Sequence, residues 1–145
     1  METLKIRKQK KLNKDAILTK VAKFVKINRL VFHKKFDFPK VADCEAYIEI
    51  LEYSTRTSTN QVLADIHRKK MIRPQISDVF FFLLDCCEIL NPGRRIVFLH
   101  EYFPWSGFMF YAVVSTTEKE TRLDLVSPGE YWTEDFTFAA IKQSV

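Results

Sequence analysis

The side chains of this chain that could take part in acid–base or metal chemistry are scattered along the sequence. None of the histidines, His33, His67 and His100, stands at a metal-ligand spacing from a cysteine or another histidine. His67 with Asp65, or His100 with Glu101, could form an acid–base pair only if the fold brought them together. The three dispersed glycines also exclude a phosphate-cradling loop. We therefore expect no enzyme and no catalytic residue, metal or cofactor.

The cysteines predict a reduced, cytoplasmic protein. Cys44, Cys86 and Cys87 are odd in number and two of them are adjacent, which makes a poor disulfide framework. The longest apolar runs, 79–84 and 108–114, are far shorter than the roughly 20 residues of a membrane-spanning helix. The basic N-terminus leads into no apolar stretch, so neither a membrane segment nor a signal peptide is expected.

Positive charge is concentrated in the first half of the chain. Residues 1–75 hold 18 Lys or Arg against 8 Asp or Glu, whereas residues 76–145 hold 5 against 10. Such an asymmetry predicts that the basic end binds a polyanion. The alternative interpretation of the first dozen residues is a solvated tail that keeps the protein soluble.

Capping residues and helical periodicity predict a mainly α-helical single domain. Residues 1–12 are interpreted as a flexible basic arm and 13–75 as basic N-terminal helices. Asn13 is a cap for the first helix, and Ser58 with Gln61 is a capping box inside the second. The predicted helices span 14–29 and 43–72, the second either continuous or broken at 55–60.

The remaining part, 76–145, is predicted to end in a helix-turn-helix. Residues 79–90 are apolar on nearly every side, which is typical of a helix central in the core. Thr117 with Glu120, and Ser127 with Glu130, are two capping boxes that predict helices over 117–125 and 128–143. The segment 94–116 is ambiguous, with a small β-hairpin as the alternative to helix.

A helix-turn-helix would bind duplex DNA by placing the start of its second helix in the major groove. Residues at that helix start are predicted to lie near base edges or backbone: Ser127, Gly129, Glu130 and Thr133. Lys119 and Arg122 are expected on phosphates. Four basic residues of the arm are expected to add salt-dependent affinity: Arg7, Lys8, Lys10 and Lys11.

Two segments carry a resemblance to known regulators. The run LLDC at 83–86, RIV at 95–97 and Tyr102 resembles the helix pair of sigma-factor region 4. The run LVSPGEYW at 125–132, followed by FAA at 138–140, resembles the end of the autolysin-regulator (ArpU-like) group of phage late-transcription regulators. This resemblance implies a DNA-binding transcriptional regulator of phage or prophage origin. Many helix-turn-helix regulators are symmetric dimers, and a homodimer would then be expected of this chain as well.

Two other classes of function remain open from the sequence. One is a non-enzymatic protein-interaction module of α+β fold, an inhibitor or immunity-type protein. It would contact its partner through the aromatic segment that begins with Tyr102 and ends with Tyr111. The other is an RNA-binding domain that stacks bases on aromatic rings beside Lys34 and Lys35. The rings available for it are Phe32, Phe36 and Phe38.

Overall fold

A computed structural model describes residues 3–86, 90, 92–105 and 108–142 of the chain, and of 102–105 and 108 it describes only the backbone. These residues form seven strands, three α-helices and one short 3-10 helix at Arg29–Phe32, with the last four strands consecutive along the chain. The other elements are β1 (Thr3–Lys8), α1 (Lys14–Val21), β2 (Val25–Ile27), β3 (Cys44–Leu51), α2 (Thr59–Arg68), α3 (Ile76–Cys86), β4 (Arg95–Trp105), β5 (Phe108–Thr116), β6 (Thr121–Val126) and β7 (Thr137–Lys142).

All seven strands form one mixed sheet in the order β1-β3-β7-β4-β5-β6-β2. Two neighbouring pairs, β4 with β7 and β2 with β6, run parallel, and the other four pairs are antiparallel. Both edges of the sheet, β1 and β2, come from the first part of the chain. The register of β4 on β5 slips between Phe98 and Phe103, which marks a bulge.

Alternation along the strands divides the core between the two faces of the sheet. On one face Ile6, Ile48 and Phe98 pack with helices α1 and α3, and every side chain from Val79 to Leu83 is buried. The opposite face is covered by α2 and by the segment before β7, where Trp132 is buried. The prediction that residues 79–90 contain a central core helix is confirmed for the part in α3.

The prediction of a mainly α-helical domain is wrong, because strands dominate the second half of the chain. Residues predicted as the first helix of the helix-turn-helix, 117–125, form a turn and β6. Of those predicted as the second, 128–143, residues 128–142 form a loop and β7, and 143 lies outside the described residues. The Thr117 side chain accepts hydrogen bonds from the backbone N–H groups of Lys119 and Glu120. This is the pattern of a helix cap, but here it closes the turn between β5 and β6.

In the N-terminal part the caps are confirmed, but the helices are shorter than predicted. Asn13 accepts the N–H of Ala16 and Ser58 accepts that of Gln61. However, α1 ends at Val21 and is followed by β2, and the predicted helix over 43–72 is replaced by β3, a loop and α2. Residues 3–8 of the predicted arm form β1, so this part of the arm belongs to the sheet. The hairpin alternative within 94–116 is confirmed by β4 and β5.

Candidate binding site

Basic residues at the end of β1 and in the segment after it, together with Lys40, line a depression of about 480 Å³ at the edge of the sheet. Backbone contacts hold this segment, because the N–H of Arg7 donates to Asp85 Oδ2 and that of Lys10 donates to Asp43 Oδ1, both at 2.7 Å. We call this site the basic depression, and its lining residues are Arg7, Gln9, Lys10, Lys11, Lys40 and Asp43.

The cationic groups of the basic depression are exposed to solvent. Arg7, Lys10, Lys11 and Lys40 are all exposed, and none of the ion pairs found among the described residues involves them. Asp43, the one carboxylate in this lining, already accepts a backbone hydrogen bond. With four cations against one carboxylate, the lining carries a net positive charge, which favours an anionic ligand.

Lys8 differs from its basic neighbours because its side chain points to the helix-covered face. Its ammonium lies 2.7 Å from Asp78 Oδ1 in a nearly buried ion pair, and it donates to Ser77 Oγ at 3.2 Å. The other oxygen of Asp78 accepts the N–H of Gln75 at 2.7 Å, which caps the start of α3. Lys8 is thus a structural residue rather than a free cation.

A second concavity, of about 710 Å³, lies beside the basic depression and shares Lys40 with it. We call it the apolar cleft, because nonpolar side chains from the segment after the 3-10 helix and from the start of α3 line it: Phe38, Pro39, Val41, Ala42, Pro74 and Ile76. Asp37, Arg73 and Glu101 also line it. The segment 37–44 is therefore the wall between the two concavities.

Lys14 anchors the segment that leads into this wall. Its ammonium donates to the backbone carbonyls of Val31, His33 and Phe36 at 2.9, 3.0 and 2.6 Å. Burial lowers the pKa of this ammonium, and the carbonyl oxygens satisfy its three donors. The ring of Phe36, which is fully buried, packs on Phe80 at a centroid distance of 5.9 Å.

On the far side of the cleft, Arg73 and His100 fix the bulged strand β4. Arg73 donates to the carbonyls of Leu99 and His100 at 2.6 and 2.9 Å. His100 is fully buried, and burial lowers its pKa to about 4, so the ring is neutral at pH 7. It contacts the backbone carbonyl of Glu101, and the acid–base pair considered for these two residues does not form.

The other considered pair, His67 with Asp65, also does not form. Asp65 instead accepts hydrogen bonds from Tyr53, Gln61 and Arg68 at 2.6, 3.0 and 3.3 Å. The Tyr53 hydrogen bond lowers the pKa of the Asp65 carboxyl, and burial raises the pKa of Tyr53. His67 is exposed at the end of α2. This network attaches α2 to the end of β3, and no metal-binding cluster occurs among the described residues.

The residues predicted to bind DNA through the helix-turn-helix do not share one surface element. Arg122 is on β6 and is flanked by Glu120 and Asp124 at 3.1 and 3.4 Å. Lys119 is in the preceding turn, while Ser127, Gly129, Glu130 and Thr133 are in the loop between β6 and β7. Strand β6 stands five positions from β1 in the sheet, about 24 Å away at the usual strand spacing. The fold therefore does not bring these residues together with the basic depression.

The aromatic residues predicted to bind a protein or RNA have mixed environments. Tyr111 is buried and Met109 is 42% exposed, while the side chains of 102–108 lie outside the described residues. Among the rings considered for RNA, Phe32 is exposed, Phe36 is buried and Phe38 packs on α3. These rings therefore do not form a row of exposed aromatics beside the lysines.

The residues of the basic depression were predicted in part from the sequence, whereas the apolar cleft was missed. Lys40 and Val41 carried no motif, and Phe38 was considered only for RNA binding, because their place in the site depends on where the segment 37–44 lies in the fold. Comparison of the chain with protein-family models, with curated proteins and with solved structures gave no significant match. The fold itself defines a mixed α/β protein. No helix in the described part of the chain is sufficiently long and apolar to cross a membrane.

Proposed function

We propose that this protein is a non-enzymatic protein-interaction module that binds an acidic segment of a partner protein in the basic depression. The observation that carries the proposal is the convergence of Arg7, Lys10, Lys11 and Lys40 on one concave site, with no ion-pair partner among the described residues. Charge complementarity of this kind raises the association rate and selects acidic partners. The free, exposed thiol of Cys44 fits a reducing, cytoplasmic location for this binding.

Two features favour an acidic protein segment over a nucleic acid as the ligand. The first is the absence, among the described residues 117–142, of a helix that could enter the major groove of DNA. The second is the mixed lining, because Asp43 lies in the basic depression and Asp37 and Glu101 line the neighbouring cleft. Carboxylates at these positions would repel a continuous track of phosphates, whereas a peptide can place neutral residues beside them.

The proposal is tested by measuring the affinity of the full chain for a fluorescent oligoglutamate peptide and for a duplex DNA, each over a range of salt concentration. We expect the peptide to bind, with an affinity that falls as salt increases. Binding of the DNA at lower concentration than the peptide, with displacement of the peptide, would contradict the proposal and favour a nucleic acid.

Charge reversal locates the site. The double variant Lys10→Glu/Lys11→Glu is expected to weaken peptide binding about tenfold, because two attractive contacts become repulsive. The matched control is Lys69→Glu/Lys119→Glu, which changes the net charge equally at exposed positions away from the depression. If both double variants weaken binding equally, the effect reflects the net charge of the protein, and the proposed site is wrong.

A further inference from the structure

The apolar cleft lies directly beside the basic depression, with Lys40 in the lining of both. We infer that the cleft receives a large apolar side chain, aromatic or aliphatic, that lies within the acidic segment of the partner. This inference rests on the proposed function and adds to it the kind of residue that the segment must contain.

The floor of the cleft is apolar and fixed in place. The ring of Phe38 is half-buried, and it packs on Phe80 and Phe81 with centroid distances of 5.5 and 5.9 Å. Val41 and Ile76 are also half-buried and border the same space. Apolar surface that is rigid and partly exposed to water favours binding of an apolar side chain, since little ordering entropy is lost on binding.

The two cations that line only the cleft, Lys8 and Arg73, already have partners, so the cleft adds little free positive charge of its own. The carboxylates of Asp37 and Glu101, which also line it, have no ion pair among the described residues. The ammonium of Lys8 is paired with the carboxylate of Asp78 at 2.7 Å. Arg73 directs its guanidinium to two backbone carbonyls, and Glu101 stands in the same lining. Free cations therefore concentrate in the basic depression, while the cleft offers apolar contact.

The size of the cleft also fits the binding of one apolar side chain beside the basic depression. Its volume of about 710 Å³ lies within the range of roughly 300–1,000 Å³ that is typical of ligand pockets. It can hold one large side chain together with adjacent backbone. Because Lys40 borders both concavities, the apolar residue must lie close in sequence to the carboxylates that bind the basic depression.

The experiment compares the oligoglutamate peptide with the same peptide carrying one central Glu→Phe replacement. The peptide with phenylalanine is expected to bind about tenfold tighter to the wild-type chain, as burial of an aromatic ring predicts. The variant Ala42→Trp, at an exposed position in the cleft lining, should fill the cleft and remove this preference. Ala64→Trp, at an exposed position of α2, is the matched control and should keep it.

A second measurement tests whether the phenylalanine of the peptide binds in the cleft of the wild-type chain. Cys44 is exposed and lines the cleft, so the phenylalanine peptide should slow its alkylation more than oligoglutamate does at equal occupancy. Mass spectrometry of the digested chain assigns the label to Cys44.

The outcomes separate the two proposals. Equal affinity of the two peptides for the wild-type chain, or a preference that persists in Ala42→Trp, would overturn the inference about the cleft. If Lys10→Glu/Lys11→Glu still weakened the binding of both peptides more than Lys69→Glu/Lys119→Glu does, the proposed function would stand without the inference about the cleft. Absence of binding by either peptide would overturn both.

Discussion

The imidazole of His100, rather than a backbone carbonyl, is the hydrogen-bond acceptor for the N–H of Ala112. Its Nε2 atom accepts the N–H of Ala112 at 3.0 Å, next to the point where the register of β4 on β5 slips. This contact requires the proton on Nδ1, which lies 2.6 Å from the carbonyl oxygen of Glu101 and donates to it. The ring also packs against Phe36 and Tyr111. The bulge is therefore stabilised by the neutral form of one histidine.

Acidification should destabilise the protein through His100. Burial lowers the pKa of His100 to about 4 in the folded chain, below its ordinary value of 6.5. The unfolded chain therefore takes up the proton first, and the stabilisation, complete above about pH 6.5, is lost as the pH falls toward 4. The loss amounts to about 3 kcal/mol.

Urea denaturation at pH 7 and at pH 4.5 tests this prediction by giving the free energy of unfolding at each pH. The wild-type chain should lose about 2 kcal/mol more than His100→Gln over this interval, since the variant lacks the titrating ring. His67→Gln, at an exposed position, should retain the wild-type pH dependence. Identical pH dependence in His100→Gln and the wild-type chain would contradict the prediction.

Replacement of Lys14 should destabilise the fold more than replacement of any exposed lysine on α1. In Lys14→Met, the carbonyls of Val31, His33 and Phe36 lose their charged donor, with an expected cost of about 2–4 kcal/mol. Lys20→Met, on the exposed side of the same helix, should change the free energy of unfolding by less than about 0.5 kcal/mol. Equal values for the two variants in urea denaturation would refute the structural role of Lys14.

The ion pair between Lys8 and Asp78 should show coupling in a double-mutant cycle. Asp78→Asn keeps an oxygen that can accept the N–H of Gln75 but leaves the Lys8 ammonium nearly buried without an opposite charge, at a cost of about 3 kcal/mol. Adding Lys8→Met removes the unpaired charge and should recover at least half of this loss. Strictly additive effects in chemical denaturation would show that the two groups do not interact.

Trp132 and Tyr131 are neighbours in sequence but should respond very differently to truncation. Trp132 is buried, donates its indole N–H to Thr59 Oγ1 at 2.9 Å and packs on Phe138. Trp132→Ala should therefore destabilise the protein by about 3–5 kcal/mol. Tyr131 is 50% exposed beneath Arg56, and Tyr131→Ala should cost less than about 1 kcal/mol. Thermal unfolding of the two variants should show a large difference in Tm.

The sequence predicted local features of the fold better than the class of the fold. The caps at Asn13 and Ser58 and the core helix before Cys86 were predicted because they depend on residues close in sequence. Strand β7 was missed because it is covered on both faces. Phe138, Ala139, Ala140 and Ile141 are all buried, so the alternation typical of a half-exposed strand is absent and the run resembles the stripe of a helix.

The candidate site was only partly predictable for the same reason. Clustered charge indicated the importance of Arg7, Lys10 and Lys11 without any knowledge of the fold. Lys40 joins them only because the chain returns to the end of β1, where Asp43 accepts the N–H of Lys10. Lys8 continues the alternation of Leu4 and Ile6 and so turns toward Asp78, but this pattern has meaning only once residues 3–8 are known to form a strand rather than an arm. Contacts across such long separations in sequence require the three-dimensional arrangement.

The strand order places both borders of the sheet in the first 27 residues of the chain, with β1 beside β3 and β2 beside β6. The short β2 can form its sheet hydrogen bonds only when β6, about a hundred residues further along the chain, lies beside it. Such a long separation in sequence favours slow folding. Proteolytic loss of this one segment would expose unpaired backbone on β3 and β6 at the same time. Such a truncated chain would be prone to exchange strands with other copies and to aggregate, so the integrity of the N-terminal segment also protects the protein against self-association.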